Sequence, residues 1–242
     1  MNREIDSLDR IASVLRSRKN QALLSRILDE CEKVHFTWQM DSPKHYNDWG
    51  TPEAIGHWSK AMETGLNALL NVNAKMPVVE IKIPANPLNF VVGRPGVYDT
   101  EKKQITLNTL NSSFRSIETL AHEYCHFIQD IKEYDWFSND PLYDSTLCEG
   151  FAEAAAIAAI GDYADKSGNL MMKCDALKSA QEHMQRCRNY CLDNMPLSGV
   201  HYDVGATAFI LAEAKHGKGI YEKVLKSKDP AGALVDLLGG RK

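Results

Sequence analysis

Two histidines four residues apart, His122 and His126, sit inside an apolar repeat of helical period, and that coincidence limits what this chain can become. Phe114, Ile117, Leu120, Ala121, Tyr124, Phe127 and Ile128 recur at three- and four-residue steps, the pattern of an amphipathic helix. Ser112, Ser113 or Ser116 could cap its start, and no proline or glycine interrupts it before Pro141. On such a helix the H-E-x-x-H pentad His122-Glu123-Tyr124-Cys125-His126 sets both imidazoles on one face with Glu123 beside them. Imidazoles so placed can share a zinc ion, and the carboxylate can reach a water on that ion, which points to metal-assisted hydrolysis. The competing reading is plainer: two polar side chains on a helix surface, or satisfied within a core.

A hydrolytic zinc site needs a third protein ligand and a position left to water. Downstream the chain reads Cys148-Glu149-Gly150-Phe151-Ala152-Glu153-Ala154-Ala155-Ala156. This segment resembles the E-G-F-A helix that supplies the glutamate ligand in gluzincin metallopeptidases, the aminopeptidase-N-like and thermolysin-like enzymes. By that resemblance Glu149 is the third ligand. Glu153, one turn later, matches the acidic residue that hydrogen-bonds a zinc-binding histidine and fixes its tautomer. Further on, Tyr202-Asp203-Val204-Gly205-Ala206 is similar to the Y-x-x-G-A segment of aminopeptidase-N-like members, whose tyrosine donates to the tetrahedral intermediate. Tyr202 is the matching residue, and His201 is the competing donor. Without the resemblance, Glu149 and Glu153 could merely solubilise an alanine-rich helix, and Tyr202 could be a packing residue whose hydroxyl reaches water.

The resemblance implies a zincin-like domain and a zinc-dependent peptidase acting on peptide or protein. One Zn2+ would be held by His122, His126 and Glu149, with Glu123 as the general base and Tyr202 stabilising the oxyanion. The match is incomplete. No G-x-M-E-N segment precedes the pentad; Ala61-Met62-Glu63-Thr64 lies in an apparent helix, so aminopeptidase specificity is not implied. The interval from His126 to Glu149 is longer than in typical members, and Cys148 stands where asparagine is common. A second function class stays open: a noncatalytic, zinc-stabilised binding or regulatory protein with a peptidase-like fold. It requires a fourth protein ligand, for which Cys125 or Cys148 would serve. Cys125 falls on a different helix face from the histidines, and core packing is the better reading of both cysteines.

At 242 residues, 44% of them hydrophobic, the chain can build a substantial core in one large domain or two small ones. A formal net charge of -4 and no dense Lys/Arg block argue against nucleic acid as the main ligand. The runs Arg16 to Lys19 and Lys223 to Lys228 read as solvated helix faces. No hydrophobic leader follows Met1, and the most apolar window, Leu147 to Ile160, is short for a bilayer and contains Glu149 and Glu153. A cytoplasmic protein without a membrane partner is expected, with signal-independent export still open. Cys31, Cys125, Cys148, Cys174, Cys187 and Cys191 do not read as a disulfide framework in a chain this long, so free thiols are expected. Cys187 and Cys191 could bind a second metal but lack a partnering His or Cys pair.

Periodicity predicts an α+β organisation, mostly helical with a small mixed β-sheet. Residues 1–72 form a helical region. Its stripes are Ile5, Leu8, Ile11 and Leu15, then Leu24, Ile27, Leu28 and Cys31, and, after Thr51-Pro52-Glu53, Ile55, Trp58, Met62, Leu66 and Leu69. Phe36 to Gly50 is expected to be loop. Residues 73–242 are expected to be the zincin-like metallopeptidase domain, which either includes the first region or is regulated by it. Val79, Ile81 and Ile83 alternate as a strand, and Phe90 through Tyr98 to Leu107 reads as strands with turns at Gly93, Pro95 and Gly96. The last strand, Gln104 to Leu107, leads toward the H-E-x-x-H helix. Tyr98 to Asn108 are expected to border the cleft and take substrate main chain as an added strand, an ordinary hairpin being the alternative. After residue 142 the pattern is helical again, broken near Gly161, Ser167-Gly168, Pro196 to Gly199, Gly217 to Gly219 and Pro230.

Overall fold

The alanine-rich stretch that begins at Leu147 is apolar on nearly every side, a pattern that a helix satisfies by being buried all round. The computed structural model describes residues 3–37, 52–82, 96–108, 113–131, 145–193 and 200–240, and there this stretch is the helix against which most others pack. In chain order the described elements are α1 (Arg3–Leu15), α2 (Arg18–Thr37), α3 (Pro52–Leu70), β1 (Val78–Lys82), β2 (Gly96–Asp99), β3 (Gln104–Asn108), α4 (Ser113–Ile131), α5 (Ser145–Ser167), α6 (Leu170–Asp193), α7 (Val200–His216), α8 (Gly219–Leu225) and α9 (Pro230–Leu237). The class is α+β, mostly helical, as the periodicity predicts. The expected loop after Phe36 and the turns at Gly93 and Pro95 lie largely or wholly outside the described residues, as does the break at Pro196 to Gly199.

Local chemistry accounts for the helix ends. Pro52 opens α3 where a missing N–H costs nothing, and Glu53 faces the positive end of the helix dipole. Asn169 accepts the Met172 N–H at 3.1 Å to start α6, and Asp229 accepts the Gly232 N–H at 2.8 Å to start α9. Gly168 and Gly217 end α5 and α7 at φ +68° and +78°, a conformation glycine adopts without strain. Gly161 does not break its helix. It sits inside α5 with nothing within 4 Å of where a Cβ would be, and a single glycine lowers helical stability without forbidding the helix. Ser116, a candidate cap for α4, lies within the helix and is buried. The side chains of Ser112 and Ser113 lie outside the described residues.

The sheet has the order β1-β3-β2, with β1 and β3 parallel and β2 antiparallel to β3. Asp99 turns the β2–β3 connection by accepting the N–H groups of Glu101 and Lys102 at 3.0 and 2.9 Å, and Lys103 takes φ +50°. Two expectations change here. The strand at Gln104–Asn108 is the middle one, hydrogen-bonded on both sides, so it offers no edge for an added strand; among the described residues the edges belong to β1 and β2, and β2 is the one that lies against α4. Gly96 opens β2 and does not turn it. A Cβ there would meet Thr119 Cγ2 at 2.5 Å and Glu123 Cγ at 3.3 Å, so the missing side chain lets the strand lie against α4.

One buried apolar cluster joins Ile11, Leu15, Leu24, Leu28, Met62, Leu66 and Leu70 of α1–α3 to Tyr124, Phe151, Phe209 and Tyr221 of α4, α5, α7 and α8. At its centre α5 and α7 cross backbone to backbone. A Cβ on Gly150 would lie 2.3 Å from Gly205 Cα, and one on Gly205 would lie 1.9 Å from the Thr146 carbonyl oxygen. Only paired glycines permit that approach. It brings the first turns of α5 and α7 together beside α4. No helix among the described residues is long and apolar enough to cross a membrane.

Candidate metal centre

Both histidines of the pentad lie on α4, near its junction with α5. His122 is buried, and the His126 side chain is 13% exposed. Their Nε2 atoms stand 3.0 Å apart. Glu149 Oε2 on α5 lies 3.0 Å from the first and 3.2 Å from the second. Three donors thus face one point from two helices. Tetrahedral zinc with bonds of about 2.0–2.1 Å separates its ligand atoms by about 3.3–3.4 Å, so the triangle is within a few tenths of an ångström of what the ion requires. The donor set of two imidazoles and one carboxylate suits zinc. It is the metal-capable group found among the described residues.

Protonation within the triangle expresses the same complementarity. Burial alone would hold the His122 ring down, but hydrogen bonds to Glu149 and Glu153 push it well above the ordinary histidine range. The His126 ring, also drawn down by burial, is pushed up to about 10 by Cys148 and Glu149. Burial raises Glu149, yet its bonds to both histidines hold it well below the usual carboxylate range. Ring protons balance the carboxylates here, and a divalent cation would do so by displacing them.

Each histidine of the triangle is oriented from behind. His122 Nδ1 lies 2.9 Å from Glu153 Oε2, where the resemblance assigned an acidic partner. His126 Nδ1 lies 2.8 Å from Gln129 Oε1, and Gln129 is fully buried. Such contacts fix which nitrogen is free to bind metal. Glu123 is buried beside the triangle, and its Oε2 accepts the Tyr98 backbone N–H of β2 at 2.7 Å. Tyr202, in the first turn of α7, stacks on His122 with ring centroids 6.4 Å apart, and His201 packs on Tyr202 at 4.6 Å. The cysteines stand apart from the ligand face. Cys148 Sγ is 3.7 Å from His126 Nδ1, on the side away from Nε2, and donates to Gln129 Oε1 at 3.3 Å. Cys125 is fully buried, with its thiol raised by burial. None of the six cysteines is in a disulfide, as expected.

Four groups went unnoticed in the sequence. Gln129 was within reach, because it follows His126 at i+3 on the same face. The Tyr98 amide was not, since a backbone group carries no residue signature. His183 and Arg186 on α6 form a second rank of polar groups behind Glu153. His183 Nε2 is 2.9 Å from Glu153 Oε1, its Nδ1 is 2.7 Å from Asp203 Oδ1, and Arg186 Nε donates to that same aspartate oxygen at 2.9 Å. The only trace of His183 was a titratable residue among the buried stripe Met172, Ala176, Ala180, Met184, Cys187 and Cys191.

Comparison with known proteins bears on this geometry. A search of curated proteins and of solved structures returned no significant match. A family model described as the IrrE N-terminal-like domain, Peptidase_M78, matches residues 76–202. The match spans β1 to the first turn of α7 and so takes in the pentad, Glu149, Glu153, His183 and Tyr202. The missing G-x-M-E-N segment and the long interval before Glu149 accord with a family distinct from the aminopeptidase-N-like one. With just over half of its residues covered, this chain belongs to the Peptidase_M78 family, a zinc metallopeptidase-like family of IrrE N-terminal-like domains.

Proposed function

We propose that this protein is a zinc-dependent peptidase with the gluzincin order of ligands, His122 and His126 followed by Glu149, in a zincin-like domain. The observation that carries the proposal is the convergence of these three donor atoms beside the buried carboxylate of Glu123. Zinc held there would supply a Lewis acid for the scissile carbonyl and lower the pKa of a bound water.

The chain's own groups complete the chemistry. Glu123, steadied by the Tyr98 amide, takes a proton from the attacking water and returns it to the departing amine nitrogen. Tyr202, stacked on His122, offers its hydroxyl to the oxygen that gains negative charge; His201 is the alternative donor. Burial of His122 and Glu123, with Glu153 partly covered behind them, keeps these interactions out of bulk water, where they would be weaker. Peptide or protein is the proposed substrate, and the edge of β2 next to Glu123 is the place where extended main chain would add. The noncatalytic alternative needs a fourth protein ligand. Its two suspects find no support, since Cys148 lies behind His126 and Cys125 is buried elsewhere on α4.

The test is Glu123→Gln. Zinc content should stay at one ion per chain while hydrolysis, followed by unbiased cleavage profiling of a proteome-derived peptide library, falls by at least a hundredfold. Wild-type cleavage that persists undiminished in the variant refutes the assigned base.

A further inference from the structure

His183 is a buried ionisable side chain that the proposed reaction leaves unused. It projects from α6 between carboxylates of two other helices, Glu153 of α5 at 2.9 Å and Asp203 of α7 at 2.7 Å. At these distances each carboxylate oxygen accepts, so both ring nitrogens donate; a bare nitrogen facing either oxygen would set lone pair against lone pair. Arg186 Nη2 lies 3.2 Å from Nδ1, which follows from both groups donating to Asp203 Oδ1. The ring is therefore an imidazolium. Burial pulls its pKa down, and Asp203 and Glu153 more than restore it, to about 9.

What this cation holds is more telling than its charge. The second oxygen of Glu153 bonds His122 Nδ1, so one carboxylate links His183 to a ligand imidazole. Asp203 adjoins Tyr202, whose ring stacks on that same imidazole. From these contacts we infer that His183 is a positioning residue, an imidazolium clamp that fixes Glu153 and the first turn of α7 together and so sets the His122 ring and Tyr202 relative to each other. Without the clamp, among the described residues, Glu153 keeps His122 and Asp203 keeps Arg186, and the hydrogen-bonded link from α5 to α7 through His183 is lost. The inference rests on the zinc reading of the centre.

The full-length protein, loaded with Co2+ or Zn2+, tests it. His183→Leu should weaken Zn2+ affinity, measured by chelator competition, about tenfold, near the lower end of what loss of an outer-shell partner produces. It should also shift the visible bands of the Co2+ form. His183→Gln, which keeps a donor of similar reach, should recover part of the affinity and serves if the leucine variant does not fold. Affinity and cobalt bands unchanged in both variants, even with a lowered melting temperature, would leave His183 a merely structural residue and overturn the clamp alone. Failure of the wild-type protein to take up either ion would sink the zinc reading, and the clamp with it.

Discussion

Cys148 stands beside a proposed zinc ligand without facing the space the ligands share. Its sulfur lies against Gln129 and the Nδ1 side of His126, while Nε2 of that ring points to Glu149. Two substitutions should therefore diverge. Cys148→Ala removes a neighbour and should retain one metal ion per chain, with no thiolate charge-transfer band in the Co2+ spectrum before or after the change. Gln129→Leu leaves the His126 Nδ1–H only the long contact to the Cys148 sulfur among the described residues and should lower Zn2+ affinity about 10–100-fold. A charge-transfer band that vanishes in Cys148→Ala would make the cysteine a ligand and revive the noncatalytic alternative. Residue identity made the pentad readable, because i and i+4 meet on any helix. It could not reveal which side of a histidine a cysteine roughly 70 Å of extended chain away would approach, since that depends on how two helices cross.

At the scale of elements, the crossing of α5 and α7 is the joint on which the centre depends. Gly150 and Gly205 touch through their backbones, with no flexible side chain to yield. Gly150→Ala forces a Cβ to within 2.3 Å of Gly205 Cα. The helices must separate, and overpacking of this kind costs about 1–3 kcal/mol or more. The same displacement draws Tyr202 and Asp203 away from His122 and His183, so the proposed peptidase activity should fall further than stability alone explains. Gly161→Ala is the control within the same helix: it meets nothing within 4 Å and should stabilise by up to about 1 kcal/mol. Urea denaturation of both variants measures the contrast, and equal midpoints would refute the close-packed joint. The two glycines were visible as letters in E-G-F-A and Y-x-x-G-A. Their reason, that each makes room for the other, is a fact about a pair distant in sequence. His183 escaped notice likewise, because Glu153 and Asp203 come from helices on either side of its own. Strand order was equally hidden: alternation marks a strand as half-buried, yet it does not say that β3 is central, with β1 and β2 as the edges.

For the whole molecule the open question is whether residues 73–242 can stand without the helices before them. The buried side chains of Leu66, Leu70 and Met62 on α3 belong to the same cluster as α5, and Gly65 brings α3 within 3.6 Å of Ala159 by its virtual Cβ. Asn67 brackets Ala74, accepting its N–H at 3.1 Å and donating to its carbonyl at 2.7 Å, and the Tyr124 hydroxyl donates to that carbonyl from within α4 itself. At the other end Asn20 donates to the Leu238 carbonyl, as Lys215 does. Each buried isoleucine, leucine or methionine contributes roughly 1.5–3 kcal/mol, so losing Ile11, Leu15, Leu24, Leu28, Met62, Leu66 and Leu70 together would remove about 10–20 kcal/mol, as much as or more than the roughly 5–15 kcal/mol by which a domain of this kind is stable. The first 72 residues are accordingly expected to belong to the folding unit and not to a detachable regulator. Expressed alone, residues 73–242 should show no cooperative thermal transition and no tight zinc binding, although every proposed ligand is present. A truncated protein that melts sharply within a few degrees of the full chain and holds one zinc ion would instead make the amino-terminal helices an appendage.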